Sequence, residues 1–454
     1  MKFFFETYGC QMNLAESAAL KLAARERNWE EAPSAEEADL VLINTCSVRL
    51  TAERRVYGRL ALYEARKKKS PPERPFTLVA AGCMAERLGE RLKRDFPGLD
   101  YTMGTSARSL FPLILEETEK YGPGKRAPGG QGAWPAEEKP AFSFSPFHME
   151  GSPLRSFIPI MHGCNNYCSY CIVPYVRGRE VSRNPAAILE EIRLVGERGV
   201  REITLLGQNV NSYNWGEGGI DFPGLLELIA LTLERNKSSV RWVRFLSSHP
   251  KDLSDRVVRI MAAYPVFCRH LHLCVQHGSN SILSAMNRRY TREAYLDLTA
   301  RLRRAMPDLS LSTDILIGFP GETEEDLKET LSLMEEVKFL YAYMYHYNPR
   351  EGTAAFDLPG RVSEGVKRER LSRVIELQKK HTGELLKSRL EARTRVLIEG
   401  ISRKNADELI SRTERDEMVV VKGPPALIGA FGELTLSRLR GNTFRSKEFR
   451  LCGD

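Results

Sequence analysis

Residues 157–171 read Phe157-Ile158-Pro159-Ile160-Met161-His162-Gly163-Cys164-Asn165-Asn166-Tyr167-Cys168-Ser169-Tyr170-Cys171. The first five are an apolar run of strand length, and the rest is a loop with the spacing CxxxCxxC. Three thiolates set this closely can grip three corners of an iron–sulfur cube, where a 4Fe-4S cluster ordinarily takes four cysteines. One iron is then open to a small molecule, as a catalytic zinc keeps one position open. A structural zinc site is the plainer alternative. Zinc motifs favour paired CxxC groups, however, and no second pair stands nearby.

On the N-terminal side, residues 2–7 read as a strand that ends in Tyr8-Gly9-Cys10, and a helix follows over about 14–27. A second apolar strand at 41–43 runs into Asn44-Thr45-Cys46, and a third at 77–81 ends at Gly82-Cys83. Continuous apolar strands alternating with helices predict a doubly wound parallel sheet. Cys10 to Cys46 is 36 residues and Cys46 to Cys83 is 37, one strand–helix unit each. Equivalent strand ends of a parallel sheet share one edge, where open α/β folds bind ligands. The three cysteines are therefore expected to converge as a second cluster site, with Gly9 and Gly82 letting backbone come close. Three separate buried thiols are the alternative. Residues 101–104 suggest a further strand, and the Gly/Pro-rich stretch 121–152 reads as a linker. Arg66-Lys67-Lys68-Lys69 is either a solvated helix end or an RNA contact.

The chain of 454 residues is long enough for two or three domains, and 42% hydrophobic residues suffice for real cores. No run approaches the roughly eighteen apolar residues of a membrane span, and the start, Met1-Lys2-Phe3-Phe4-Phe5-Glu6, is too soon charged for a signal peptide. Nine cysteines, six in motif contexts, point to metal binding in a reducing compartment, and so to the cytoplasm. A formal charge of +8 suits a polyanionic partner.

CxxxCxxC at the end of a strand resembles the radical S-adenosylmethionine (SAM) superfamily. That resemblance implies that SAM chelates the open iron and is split reductively to a deoxyadenosyl radical. Further strands at 202–206, 242–246, 270–275, 311–317 and 339–346, with helices such as 186–197 and 324–337 between them, predict a partial (β/α)6 barrel rather than the closed eight-strand form. Its strand ends read Gly207-Gln208-Asn209-Val210-Asn211, Ser247-Ser248-His249-Pro250, Gln276-His277-Gly278-Ser279 and Gly318-Phe319-Pro320-Gly321-Glu322. Amides, hydroxyls and glycines there suit a zwitterionic, nucleoside-bearing ligand. Gln208 and Asn209 are expected near the methionine end of SAM, and Gln276 and Asp314 as further polar contacts. Cys268, Cys274, His272 and His346 read as structural, and Tyr341, Tyr343, Tyr345 and Tyr347 as one aromatic face of a strand.

From Arg393 the pattern shifts to short alternating strands at 395–400, 417–421 and 431–436, which predict a small antiparallel β-barrel. Such barrels often bind nucleic acid, and Arg412, Arg415, Arg438, Arg440 and Arg445 are candidate phosphate contacts. Cys452 reads as an idle thiol.

Taken end to end, the chain resembles the radical SAM methylthiotransferase family. Beyond the motifs already quoted, Gln11-Met12-Asn13, Ile172-Val173-Pro174-Tyr175, Arg177-Gly178, Ser182-Arg183 and Asp314-Ile315-Leu316-Ile317 carry the match. The resemblance implies an N-terminal methylthiotransferase domain over 1–120, a linker over 121–152, a radical SAM domain over 153–388 and a TRAM-like RNA-binding domain over 389–454. It implies two 4Fe-4S clusters, one on Cys10, Cys46 and Cys83 and one on Cys164, Cys168 and Cys171, and two SAM per turnover, with no catalytic side chain assigned. The Gly-Cys-Gln-Met-Asn form is most similar to members that add a methylthio group to carbon 2 of isopentenylated adenosine beside the tRNA anticodon. Relatives acting on threonylcarbamoyl-adenosine in tRNA or on a ribosomal-protein aspartate, and an iron–sulfur RNA-binding module without catalysis, are the alternatives. The expected partners are tRNA and an electron donor such as flavodoxin or ferredoxin, with a monomeric chain and no membrane. Departures from the family pattern are Cys274 and His277 in place of proline and serine, and Leu50 in place of an acid.

Overall fold

The apolar runs at 2–7, 40–45 and 77–82 are strands of one parallel sheet in a computed structural model, which describes residues 1–48, 50–69, 74–125, 153–216 and 219–452. The chain divides into two units. One takes Met1–Glu150, Met161–Asn165 and Cys171–Arg183, and the other Gly151–Ile160, Asn166–Tyr170 and Asn184–Asp454.

In the first unit the strand order is Glu30–Glu31, Lys2–Thr7, Leu40–Thr45, Thr77–Gly82, Tyr101–Met103, all parallel. Leu40–Thr45 and Thr77–Gly82 are buried at every position, which is why they read as unbroken apolar runs rather than as alternation. Successive side chains still point to opposite faces. Val41, Ile43, Leu78 and Ala80 pack with Val56, Leu60 and Tyr63 of helix Leu50–Lys67 and with Met84 and Leu92 of helix Cys83–Asp95. Leu40, Leu42, Val79 and Ala81 pack with Leu20 and Ala24 of helix Gln11–Glu26 and with Phe111, Ile114 and Leu115 of helix Phe111–Tyr121. Each large side chain buried this way contributes about 1.5–3 kcal/mol, so cores on both faces fix the register of the strand ends.

The basic run is largely engaged. Arg66 donates to the Ala35 and Glu36 carbonyls and lies over the Phe76 ring, and Lys67 pairs with Asp100. These contacts, with Lys68 paired to Glu64 at 3.0 Å, tie helix Leu50–Lys67 to its own unit. Of the linker stretch, residues 126–152 lie outside the described residues.

In the second unit, strands Trp242–Phe245, Glu202–Leu206 and Arg155–Pro159 form one parallel sheet, and His270–His272, Ser310–Ile317 and Tyr341–His346 another. Parallel bridges Val243–Phe267 and Ser248–Leu273 join the two. The strand read over 157–161 is split: Arg155–Pro159 joins this sheet, while Met161–His162 pairs antiparallel with Val181–Ser182 in the first unit. Leu311, Thr313, Ile315 and Ile317 are wholly buried, whereas Asp314 and Leu316, between them, are only partly covered. Tyr343 and Tyr345 oppose Asp314 and Leu316 in register and are exposed, so the tyrosine alternation is a strand whose aromatic face is open.

The C-terminal sheet belongs to the same unit and has seven strands, ordered Arg438–Arg440, Thr443–Ser446, Met418–Lys422, Asn405–Thr413, Arg393–Ser402, Phe431–Thr435, Arg450–Leu451. All pairs are antiparallel except Met418–Lys422 with Thr443–Ser446, which is parallel. Phe431 meets Trp242 edge-on at 5.0 Å, beside Leu397 and Cys268. The turn after Asn405–Thr413 closes on the parallel strands: Arg244 donates to the Thr413 and Glu414 carbonyls at 2.9 and 3.0 Å, and Ser310 Oγ to the Arg415 carbonyl at 2.8 Å. No helix among the described residues is long and apolar enough to cross a membrane.

Candidate functional site

Three neighbouring strands of the first unit lead to Cys10, Cys46 and Cys83, and one polar network ties the residues around them. Asn13 is the hub: its Oδ1 accepts from Cys10 N at 3.2 Å and from Cys10 Sγ at 3.3 Å, and its Nδ2 donates to Asn44 Oδ1 and the Thr45 carbonyl. Asn44 Nδ2 returns to the Asn13 carbonyl and to Ser17 Oγ. Thr45 Oγ1 accepts from the Met84 and Ala85 amides. The strand-end residues around Cys10, Cys46 and Cys83 are thus held by side chains from the neighbouring strand. This network starts the first helix at Gln11 rather than 14, because Asn13 caps the turn that Cys10 begins.

Gly9 and Gly82 make the approach possible. A Cβ on Gly9 would lie 2.2 Å from Asn13 Oδ1 and 3.0 Å from Cys46 Cβ. Gly82 takes φ +91°, and a Cβ there would lie 2.5 Å from both Asn44 Oδ1 and the Thr45 carbonyl. Cys46 and Cys83 are 1% and 2% exposed. Burial pushes the Cys83 thiol up to about 12, so without a metal it is a neutral thiol, and binding iron is what would make it a thiolate. Cys10, Cys46 and Cys83 thus follow three neighbouring strands of one parallel sheet, with Cys46 and Cys83 buried and Cys10 partly open.

Of the CxxxCxxC cysteines, Cys164 and Cys171 belong to the first unit and Cys168 to the second. Cys164 N donates to the Gly178 carbonyl at 3.2 Å, and Gly163 has φ +79°, where a Cβ would meet the Arg179 carbonyl at 2.0 Å. Within the second unit, Ser169 N donates to the Met286 carbonyl and Asn287 Nδ2 to the Tyr167 carbonyl. The buried Arg288 lies 3.4 Å from Cys168 Sγ through Nη1 and donates through Nη2 to the Cys274 carbonyl at 2.6 Å. Arg288 was not legible as a functional residue, since nothing in Asn287-Arg288-Arg289 marks which arginine turns inward.

The strand ends of the second unit hold the expected polar side chains, in different roles. Asn209 is 1% exposed, donates to Asp252 Oδ2 at 2.7 Å and accepts from His249 N at 3.3 Å, so both ends of its amide are engaged in holding the loop. Gln208 Oε1, both amide atoms of Asn211 and Ser248 Oγ are buried without a hydrogen-bond partner among the described residues. Orphaned buried polar atoms are rare in proteins, and three side chains with unmet capacity at adjacent strand ends fit a polar ligand. Gln276, at φ +68°, continues its strand, giving N–H to the Asp314 carbonyl and accepting from Leu316 N.

His272 Nε2 stands 3.5 Å from Asp314 Oδ2, while His272 Nδ1 meets Ser312 Oγ at 3.0 Å. Burial works against charge on both groups. The Asp314 carboxylate and the Cys274 sulfur nevertheless raise the imidazole well above its ordinary range, and His272 holds the Asp314 carboxyl below its own. Cys274, expected in the core, is instead partly open and completes a trio with His272 and Asp314 whose ligand atoms lie within 4.8 Å of one another. Cys268 is core, as read, whereas Tyr347, read as part of the aromatic strand face, lies just past the strand end and is buried.

Comparison with known proteins bears on both halves. Residues 158–334 match the radical SAM superfamily, and residues 2–104 match the uncharacterized protein family UPF0004. A tRNA-2-methylthio-N(6)-dimethylallyladenosine synthase from Treponema denticola is 50% identical over 454 residues, covering 98% of this chain and 99% of the relative. One of the same name from Geobacter metallireducens is 41% identical over 438 residues, 96% and 95% of the two chains. Among solved structures, the radical SAM methyltransferase TsrM from Kitasatospora setae, with cobalamin and a [4Fe-4S] cluster bound, aligns with a TM-score of 0.57 at 15% identity, covering 78% of this chain and 77% of that one.

Proposed function

This chain belongs to the tRNA-2-methylthio-N(6)-dimethylallyladenosine synthase family, and from that premise we propose that it is a tRNA methylthiotransferase acting at carbon 2 of a prenylated adenosine beside the anticodon. The observation that supports the reading is that Cys10, Cys46 and Cys83 follow the ends of three neighbouring parallel strands tied by one hydrogen-bond network, separate in sequence from the CxxxCxxC triad. Two triads support two 4Fe-4S clusters, and six parallel strands in sequential order support a partial barrel. When bound, the clusters and SAM supply reductive cleavage, hydrogen abstraction and the methylthio group.

The side chains bind and orient. Gln208, Asn211 and Ser248 offer unmet hydrogen-bonding capacity to the polar end of SAM, while Asn209 shapes the loop that presents Gln208. Gln276 and Asp314 remain candidate contacts on the neighbouring strand ends. Arg288 braces Cys168 against the 274–276 strand end and brings a fixed positive charge to it. The open face of Tyr343 and Tyr345 suits stacking on a base, which is worth about 1–3 kcal/mol. The seven-stranded C-terminal sheet is read as a TRAM-like module for tRNA, the chain as a cytoplasmic monomer, and its reductant as a flavodoxin- or ferredoxin-type donor.

The test supplies reconstituted enzyme, SAM, reductant and sulfide with matched tRNAs, with and without the prenyl group, and reads nucleosides by mass spectrometry. Methylthio product on the prenylated tRNA, much reduced on bare adenine, is expected. Product only on a ribosomal protein, or on threonylcarbamoyl-adenosine, overturns the substrate assignment.

A further inference from the structure

Strands His270–His272 and Ser310–Ile317 run parallel, with His272 opposite Ser312. Past that pair three side chains of different chemistry meet. His272, Cys274 and Asp314 each offer one ligand atom, and the three atoms lie within 4.8 Å of one another. Cys274 stands where the family pattern has proline, which carries no ligand atom, so this chain adds a sulfur to a histidine and an aspartate. His272 Nε2 and Asp314 Oδ2 are 3.5 Å apart, beyond the roughly 2.7–3.2 Å of a direct hydrogen bond. Nitrogen and oxygen ligands at about 2.0–2.1 Å on a tetrahedral zinc stand roughly 3.3–3.4 Å apart, and a sulfur at about 2.3 Å stands roughly 3.5–3.6 Å from either. The histidine and the aspartate therefore already have the spacing of two ligands on one ion.

The groups behind these three hold them in place. Ser312 Oγ lies 2.9 Å from His270 Nε2 and 3.0 Å from His272 Nδ1. Both bonds are satisfied when Ser312 donates to His270 and accepts the N–H of His272 Nδ1, which turns the other ring nitrogen of His272 toward Asp314. An oxygen on the far ring nitrogen is what orients a metal-binding imidazole. The Cys274 backbone is held on both sides, its N–H donating to the Ser248 carbonyl at 3.2 Å and its carbonyl accepting from Arg288 Nη2 at 2.6 Å. Access is open as well. The Asp314 side chain is 29% exposed, Cys274 is partly open, and the exposed Tyr343 stands edge-on to His272. A thiolate and a carboxylate balance a divalent charge, and a nitrogen, sulfur and oxygen set suits zinc.

We propose that His272, Cys274 and Asp314 form a mononuclear site for a thiophilic divalent cation, Zn²⁺ by its ligand set, which cross-links two neighbouring strand ends and keeps a fourth position open. Binding displaces the protons of the Cys274 thiol and of His272 Nε2. Asp314 ligates through Oδ2 and keeps its other oxygen for a contact to SAM. The site uses neither cysteine triad, so it stands or falls apart from the tRNA chemistry.

The test uses the full chain, reconstituted anaerobically with iron and sulfide, stripped of loosely held metal and titrated with zinc chloride against a fluorescent zinc chelator. X-ray absorption at the zinc edge, which iron does not share, then reads the ligand shell. The wild type is expected to bind one zinc through one sulfur at about 2.3 Å and three lighter atoms at about 2.0–2.1 Å. Cys274→Ala is expected to remove the sulfur from the shell and weaken zinc binding by more than about 100-fold. Ser312→Ala should keep the sulfur and weaken binding by about 10–100-fold, the usual cost of losing an orienting partner. Cys452→Ala should change neither. If Cys274→Ala does not fold, the wild-type shell and the Ser312→Ala affinity still decide it. A shell with two or more sulfurs places the zinc in a cysteine triad and overturns the site. Zinc affinity that Cys274→Ala leaves unchanged, or binding only at millimolar zinc, overturns it too. None of these outcomes touches methylthio product on prenylated tRNA, which tests the proposed function separately.

Discussion

Single side chains decide whether the strand ends become a site. Asn13 is wholly buried and its amide serves Cys10, Asn44 and Thr45 at once. Asn13→Ala leaves the Cys10 amide and Asn44 Oδ1 without those partners, so a loss of about 1–3 kcal/mol per stranded group is expected, together with loss of iron from the N-terminal triad. Chemical denaturation and iron analysis check it, and a variant that keeps full iron would show the network to be dispensable. His270 carries a pH signature. Burial pushes its pKa down to about 3 against the pull of Asp416, with Arg244, His272 and Arg412 also facing it. The folded value lies below the unfolded one of about 6.5. The unfolded chain therefore takes the proton first, and stability falls as pH drops from about 6.5 toward 3, by at most about 1.4 kcal/mol per pH unit. His270→Asn removes this contribution. The variant's thermal midpoint should gain on that of the wild type between pH 7 and pH 5, and a constant gap would contradict the assignment. At this scale spacing alone was enough to single out six of the nine cysteines as candidate ligands. The buried pairing of Arg177 with Glu16 was not legible: the two are 161 residues apart in sequence, and an isolated ion pair carries no periodicity to read.

Elements were legible where one physical signal dominated. Strands buried on both faces read as apolar runs, and helix Glu324–Val337 was bounded by its own capping box of Thr323 and Asp326. Strand Asn405–Thr413 was missed, because it opens with Asn405-Ala406-Asp407-Glu408, three of them exposed, and only its second half turns apolar side chains inward. Without it the turn at 413–417 could not be seen to close on Arg244 and Ser310. The same omission misjudged the arginines. Arg412 pairs with Glu399 and Asp416, Arg415 reaches Glu417, and Arg445 pairs with Glu408. Arg438 and Arg440 are exposed and form no ion pair among the described residues. Replacing both by alanine is expected to weaken tRNA binding and flatten the dependence of log affinity on log salt by roughly 0.7–0.9 for each phosphate no longer neutralised, with the thermal midpoint unchanged. Arg412→Ala should do the opposite, costing about 1.5–3 kcal/mol of stability by stripping hydrogen bonds from two carboxylates. Equal salt slopes in the double variant and the wild type would move the RNA-binding surface elsewhere.

For the molecule as a whole, the alternation of strand and helix was enough to anticipate parallel sheets, and the change of pattern near Arg393 enough to anticipate a β module. What stayed hidden is that this module shares one compact unit with the parallel strands, through Trp242, Phe431 and the Arg244 hydrogen bonds. Long-range packing of this kind leaves no local pattern. Its consequence is that cutting the chain near 388 would expose Trp242 and strip Arg244 of its Thr413 and Glu414 carbonyl acceptors, so point substitutions are the sounder probes of function. The N-terminal triad has a different standing. Cys10, Cys46 and Cys83, with Asn13, Asn44 and Thr45, lie within the first 83 residues, and the hydrogen bonds that link Asn13, Asn44 and Thr45 to their neighbours at these strand ends run among residues up to 85. The triad should therefore fill independently of the CxxxCxxC loop. Cys164→Ala, Cys168→Ala and Cys171→Ala together are expected to abolish SAM cleavage and leave one cluster, about half the iron of the wild type. The triple alanine variant at Cys10, Cys46 and Cys83 should keep SAM cleavage, also hold about half the iron, and make no methylthio product. Iron analysis, methionine release from SAM and tRNA nucleoside mass spectrometry read the three outcomes separately. If either triple variant lost both clusters, the two sites would be one cooperative unit, and the strand-edge network could not be sufficient to build the first.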